Sequence, residues 1–159
     1  MKDAAPQTVY LKDYKVAVFL IEKTKLTFDL GATQTSVTAE LTVVRNVASE
    51  DMSDNLVLDG SPGLDLQWVK VDGQLLISSD YHQDAESLTI FSLPDQCVVT
   101  TEVFIKPHLN TTMMGLYRSR TMYCTQCEAE GFRDITYYLD RPDVMSESVS
   151  YTHLRAHET

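Results

Sequence analysis

Two runs of residues near the front of the chain alternate apolar and polar side chains one for one, and a period of two argues for strands and against helices. In residues 23–30, Leu26, Phe28 and Leu30 fall on one side and Lys25, Thr27 and Asp29 on the other. In residues 36–45, Val37, Ala39, Leu41 and Val43 share a side. Successive side chains of a strand point to opposite faces, so each run reads as a half-buried strand. The break at 31–34 opens on Gly31 and reads as a turn, so the two strands are expected to pair as a hairpin.

The rest of the chain repeats this grammar. Residues 46–55 are polar and acidic and read as a loop, followed by the short apolar run Leu56, Val57, Leu58 and the turn-rich Asp59-Gly60-Ser61-Pro62-Gly63. Asp72-Gly73 stands between 64–71 and 74–77 as a hairpin signal. A second acidic turn separates 81–83 from 87–91, and Pro94-Asp95 marks another. Residues 97–105 are long and rich in β-branched side chains, which suits a central strand, and Pro107 ends it. No window carries a helical period of useful length. The expected fold class is all-β, an antiparallel sandwich or saddle of sheets, with residues 1–9 as a loose arm.

A length of 159 residues fits one domain with a real core. The formal net charge of −10 argues against nucleic acid or an anionic membrane as partner, since both select clustered Lys and Arg. No apolar run reaches membrane-spanning length, and Met-Lys-Asp-Ala-Ala-Pro lacks the apolar centre of a signal peptide, so the expected location is cytoplasmic. Cys97, Cys124 and Cys127 are too few for a disulfide scaffold. Cys124 and Cys127 have the spacing of half a zinc ribbon or of a redox pair, but no second half and no βαβ pattern accompany them; reduced thiols are the expectation. Asn110-Thr111-Thr112, Trp68, His82 and His108 read as loop, packing and solvated positions.

Residues 124–144 read C-T-Q-C-E-A-E-G-F-R-D-I-T-Y-Y-L-D-R-P-D-V. In an extended segment Gln126, Glu128 and Glu130 would share one face, with Cys127 and Ala129 opposite. Phe132, Ile135, Tyr137, Tyr138 and Leu139 would anchor the strip, and Asp140-Arg141-Pro142-Asp143 would close it as a turn. By pattern alone such alternating polar residues are the wet face of a strand. This run resembles the end of the N-terminal domain of the bacterial aminopeptidase N family, which are zinc gluzincins. Gly115-Leu116-Tyr117-Arg118-Ser119, Leu56-Val57-Leu58-Asp59-Gly60 and 10–14 extend the resemblance to about residues 8–145. Val16-Ala17 departs from it, standing where the family carries a proline pair.

The resemblance implies a hydrolase that releases N-terminal residues from peptides. It implies zinc held in a later domain by the histidines of H-E-x-x-H and a downstream Glu, the motif's own Glu serving as general base. No complete H-E-x-x-H occurs in this sequence, so no catalytic or metal-ligating residue is expected in the chain, and alone it should be inactive. What the resemblance assigns to this part is substrate binding: Gln126 and Glu128 hold the free α-amine of the peptide beside a catalytic domain in cis. Glu130 and Arg133 receive no catalytic role. The alternative is a stand-alone acidic β-sandwich that binds a partner without catalysis; a third reading is a zinc or redox module on Cys124 and Cys127.

The family-like domain is expected over 10–148, incomplete at its end and so exposing apolar surface and strand edges. Residues 149–159 read V-S-Y-T-H-L-R-A-H-E-T, a translated frame of a common transposase sequencing adapter, and are expected to be adapter read-through. His153, His157 and Glu158 mimic a metal half-site there and are given no function.

Overall fold

A computed structural model describes residues 10–154. The arm at 1–9 and the end of the tail, with His157 and Glu158, lie outside them. The described residues form eleven strands: β1 (Phe19–Leu30), β2 (Thr35–Arg45), β3 (Leu56–Asp59), β4 (Asp65–Val71), β5 (Gln74–Leu75), β6 (Tyr81–Gln83), β7 (Ser87–Ile90), β8 (Gln96–Ile105), β9 (Gly115–Ser119), β10 (Met122–Gln126) and β11 (Glu147–Leu154). Three single 3-10 turns, at Leu11–Asp13, Pro107–Leu109 and Phe132–Asp134, are the only helical pieces among the described residues.

The large sheet has the order β11-β1-β2-β8-β4-β5, a three-stranded sheet has the order β3-β7-β6, and β9 pairs with β10 alone. The two larger sheets share one core. Val37, Ala39, Leu41 and Val43 of β2 are fully buried, as their alternation requires, and Val99 and Val103 of β8 lie beside them. Leu56 and Leu58 of β3 and Leu88 and Ile90 of β7 close the same cluster from the other layer. Burying one such aliphatic side chain contributes about 1.5–3 kcal/mol relative to exposure. The architecture is the expected all-β sandwich, with β8 between β2 and β4 as a central strand.

Two features depart from the sequence reading. First, β1 starts at Phe19, not Lys23. Its register shifts between Ile21 and Lys23, so Glu22 and Lys23 both face solvent. This bulge breaks the alternation and hides the strand's first four residues, although Phe19 and Ile21 are core. Second, the sheet is not purely antiparallel, because β11 runs parallel to β1 in register from Lys23↔Glu147 to Leu30↔Leu154.

Turn chemistry holds where it was strongest. Asp72 and Gly73 have φ of 49° and 81°, the left-handed pair that a two-residue hairpin of matching twist demands. Gly31 N–H donates to the Gln34 carbonyl at 3.0 Å and closes the β1–β2 turn. That turn also seats the β9–β10 hairpin. Tyr123 Oη donates to the Gly31 carbonyl at 2.8 Å, and Arg118 Nη1 donates to the Ala32 carbonyl at 3.1 Å.

Candidate functional site

The segment that carries Gln126 and Glu128 is an exposed turn clamped at both ends. Its entry is strand: Gln126 is the last residue of β10 and pairs with Gly115. Its exit is the 3-10 turn Phe132–Asp134, which is pinned by aromatic packing. The Phe132 and Tyr138 rings lie 4.4 Å apart, and Tyr138 bridges Asp59 of β3 through N–H to O bonds of 2.7 and 3.0 Å. Ile135, Tyr137, Tyr138 and Leu139 are buried, so the apolar anchor proposed from sequence is real.

Between these clamps the chain is not extended. Residues 128–131 form a turn, Glu130 takes φ of 63°, the Glu128–Ala129 peptide is cis, and Gly131 N–H donates to the Cys127 carbonyl at 3.0 Å. The common strand face expected for Gln126, Glu128 and Glu130 is therefore corrected. The reason lies at Gly131: a Cβ there would stand 2.9 Å from Cys127 Cα, the Gln126 carbonyl oxygen and Met114 Cε. A backbone doubling back that closely makes a turn of what would otherwise be a strand. Gly115, with φ of 68°, meets Asp134 in the same way, so entry and exit of the turn pack directly on each other.

Within the turn the polar groups divide into two kinds. Gln126 and Glu128 are exposed, and Gln126 Nε2 donates to the Glu128 carbonyl at 3.4 Å. Among the described residues the Glu128 carboxylate has no hydrogen-bond or ion-pair partner. Glu130 instead faces Arg133, 3.6 Å from Nη2. Of the carboxylates nearby, Asp140 is engaged by Arg133 at 3.0 Å and Asp143 by Arg141 at 2.8 Å, whereas the half-buried Asp134 carboxylate has no hydrogen-bond or ion-pair partner among the described residues. Glu128 is the exposed unpartnered carboxylate of this stretch, and as an acceptor it suits a cation with N–H donors.

The cysteines do not form a second site. All three are free. Cys127 packs half-buried against the core, and burial, then Asp140 and Asp134, push its thiol up; burial chiefly raises Cys97 to about 11. Raised thiols are inert rather than redox-active. No group of three His, Cys, Asp or Glu able to hold a metal occurs among the described residues, so these residues do not fit zinc. His82 is exposed as expected, whereas His108 is half-buried with Nδ1 shielded and unbonded, which corrects its reading as solvated.

The sandwich is a β domain of the kind found in zinc metallopeptidases. The structure of Legionella pneumophila aminopeptidase A in complex with aspartic acid matches with a TM-score of 0.80 at 30% identity, over 89% of this chain and 17% of that one. An M1 zinc metallopeptidase from Deinococcus radiodurans matches in fold with a TM-score of 0.71 at 15% identity, over 89% of this chain and 34% of its own. The chain belongs to the Peptidase M1 N-terminal domain family, which matches residues 14–153. It is 50% identical over 146 residues to aminopeptidase N of Caulobacter vibrioides and 42% identical over 141 residues to aminopeptidase N of Escherichia coli. It covers 92% and 89% of itself in these matches but only 16% of either relative, so it corresponds to the front part of much longer proteins.

Proposed function

We propose that this chain is the substrate-anchoring domain of a zinc aminopeptidase that releases N-terminal residues from peptides, with Gln126 and Glu128 holding the substrate's free α-amine. The carrying observation is the uncommitted Glu128 carboxylate on a turn fixed at both ends. An α-amine titrates at about 7.7–8.0 and is largely an ammonium near neutral pH. Charge-assisted bonds from that ammonium to the Glu128 carboxylate and the Gln126 side-chain carbonyl would distinguish a chain end from an internal peptide bond, which carries no such charge. The domain's contribution is selection and placement. Zinc, which would supply Lewis-acid and water-activating chemistry to the whole enzyme, is held by residues outside this chain, and none of the domain's own steps runs through it. No described helix is long and apolar enough to cross a membrane. The free cysteines support a reducing, cytoplasmic setting.

The test is Glu128→Ala in the full-length enzyme that carries this domain. Loss of a charged hydrogen bond of about 1.5–3 kcal/mol predicts a fall in kcat/KM of roughly ten- to a hundredfold. Unchanged kinetics would remove Glu128 from the role.

We further propose that the domain proper is 10–148 and that 149–159 is adapter read-through. What supports this is how little β11 buries: residues 147–153 are exposed in both rows, Val149 and Tyr151 at 48% and 51%, although the strand lies in register with the buried Thr24, Leu26 and Phe28. Sequencing the source DNA across codons 143–159 decides it: a frame that leaves the adapter sequence supports the proposal, and a frame that encodes the tail ends it.

A further inference from the structure

We infer that Arg133 is a positioning residue, which fixes where Glu128 stands without itself touching substrate. The inference rests on the reading of Glu128 above. Arg133 follows the turn by two residues and joins it to the body of the domain. Its backbone N–H and its Nε both donate to Asp140 Oδ2, at 3.1 and 3.0 Å, and its Nη2 donates to the Asp140 carbonyl at 3.0 Å. Asp140 is itself tied to β3, because its N–H donates to Asp59 Oδ2 at 3.0 Å, and Arg133 Nη1 lies 3.9 Å from Asp59 Oδ1. The same Nη2 lies 3.6 Å from a carboxylate oxygen of Glu130, two residues beyond Glu128.

The two partners are unequal. The Asp140 side chain is only 13% exposed and receives two bonds, so it locks the guanidinium. The Glu130 side chain is 62% exposed, and such a pair adds little to global stability. A planar fork held rigidly by Asp140 can still direct a loose carboxylate beside it, more than a flexible ammonium could. The entry of the turn is fixed by β10 pairing and its exit by this fork; Glu128 stands between them, its carboxylate without a hydrogen-bond or ion-pair partner among the described residues. Its position is therefore set by those two clamps, and misplacement of an anchoring group by about 1 Å can cost up to a hundredfold in rate.

The experiment is a double-mutant cycle of Arg133→Gln and Glu128→Ala in the full-length enzyme, reading KM and kcat on a dipeptide with a free amine. The expected result is a KM raised about tenfold by Arg133→Gln with Glu128 present, kcat changed by less than about twofold, and little further rise when Glu128 is already alanine. Equal effects in both backgrounds would make Arg133 a general structural residue and overturn the inference. No effect of Arg133→Gln beside a strong effect of Glu128→Ala would overturn it while leaving the anchoring reading intact. No effect of Glu128→Ala would overturn both. If Arg133→Gln does not fold, Arg133→Lys carries the same test: it keeps the charge but lacks the planar fork that bonds the Asp140 carboxylate and carbonyl in fixed geometry. It should raise KM by a smaller factor, and a KM equal to that of the parent overturns the inference.

Discussion

At Gly131 the turn has no room for a side chain. An added methyl would press on Cys127, on the Gln126 carbonyl and on Met114 at once, and two of those contacts are backbone. Gly131→Ala is therefore predicted to lower stability by about 1–3 kcal/mol and to displace the residues on either side. Chemical denaturation measures the first effect, and amide shifts of Gln126 and Glu128 measure the second; shifts that stay put would show that the turn tolerates the methyl. Gly60 faces a comparable obstacle, the buried ring of Tyr137, so Gly60→Ala should be at least as damaging. At this scale the sequence was only partly legible. E-A-E-G reads as alternation, and nothing local in it says that Gly131 doubles back onto Cys127. The contact with Met114 and the Asp134–Gly115 approach are tertiary, and they convert the strip into a turn. Arg133 was equally opaque, because three acids lie within reach in sequence terms and only the fold selects Asp140 as its main partner.

Among the elements, those with uninterrupted alternation could be read directly. β2 and β8 sit where their patterns place them, and the Asp72-Gly73 hairpin follows from two residues. The first residues of β1 could not be read, since a bulge puts Glu22 and Lys23 on the same side. β11 is the reverse case, an edge strand whose residues 147–153 are all exposed, so no burial pattern in the sequence announces it. The closing turn carries an acid-sensitive clamp. The Asp143 carboxyl is drawn down to about 2, first by hydrogen bonds from Arg141, against the effect of burial, and then by the Tyr14 hydroxyl. A folded-state value below the ordinary 3.8 means that the clamp's stabilisation is complete above about pH 4 and disappears as pH falls through 2. Asp143→Asn should thus lower stability at pH 7, by no more than about 1 kcal/mol for so open a pair, and the difference should shrink as pH falls from about 4 through 2. A difference that did not shrink over that range would exclude the clamp as its origin.

At the scale of the whole molecule the chain is a Peptidase M1 N-terminal domain, and substrate recognition is the role proposed for it. Its all-β architecture followed from period and turns, but the role proposed for Glu128 did not: its pattern is that of any wet strand face, and the proposal draws on the exposed, unpartnered carboxylate. The described residues offer no metal cluster, so the chain alone is predicted to hydrolyse no aminoacyl reporter with zinc added; zinc-dependent turnover by the pure chain would contradict the division of labour. The central claim, that Glu128 reads the α-amine, is tested most directly by calorimetry on the full-length enzyme. The ligands are a non-hydrolysable peptide analogue with a free amine and its N-acetylated twin, each bound to the parent and to Glu128→Gln. The account predicts that the parent prefers the free amine by roughly ten- to a hundredfold, the worth of a charged hydrogen bond, and that Glu128→Gln erases most of that preference. A preference that survives the substitution intact would mean that another group recognises the amine and that Glu128 is only part of the surface.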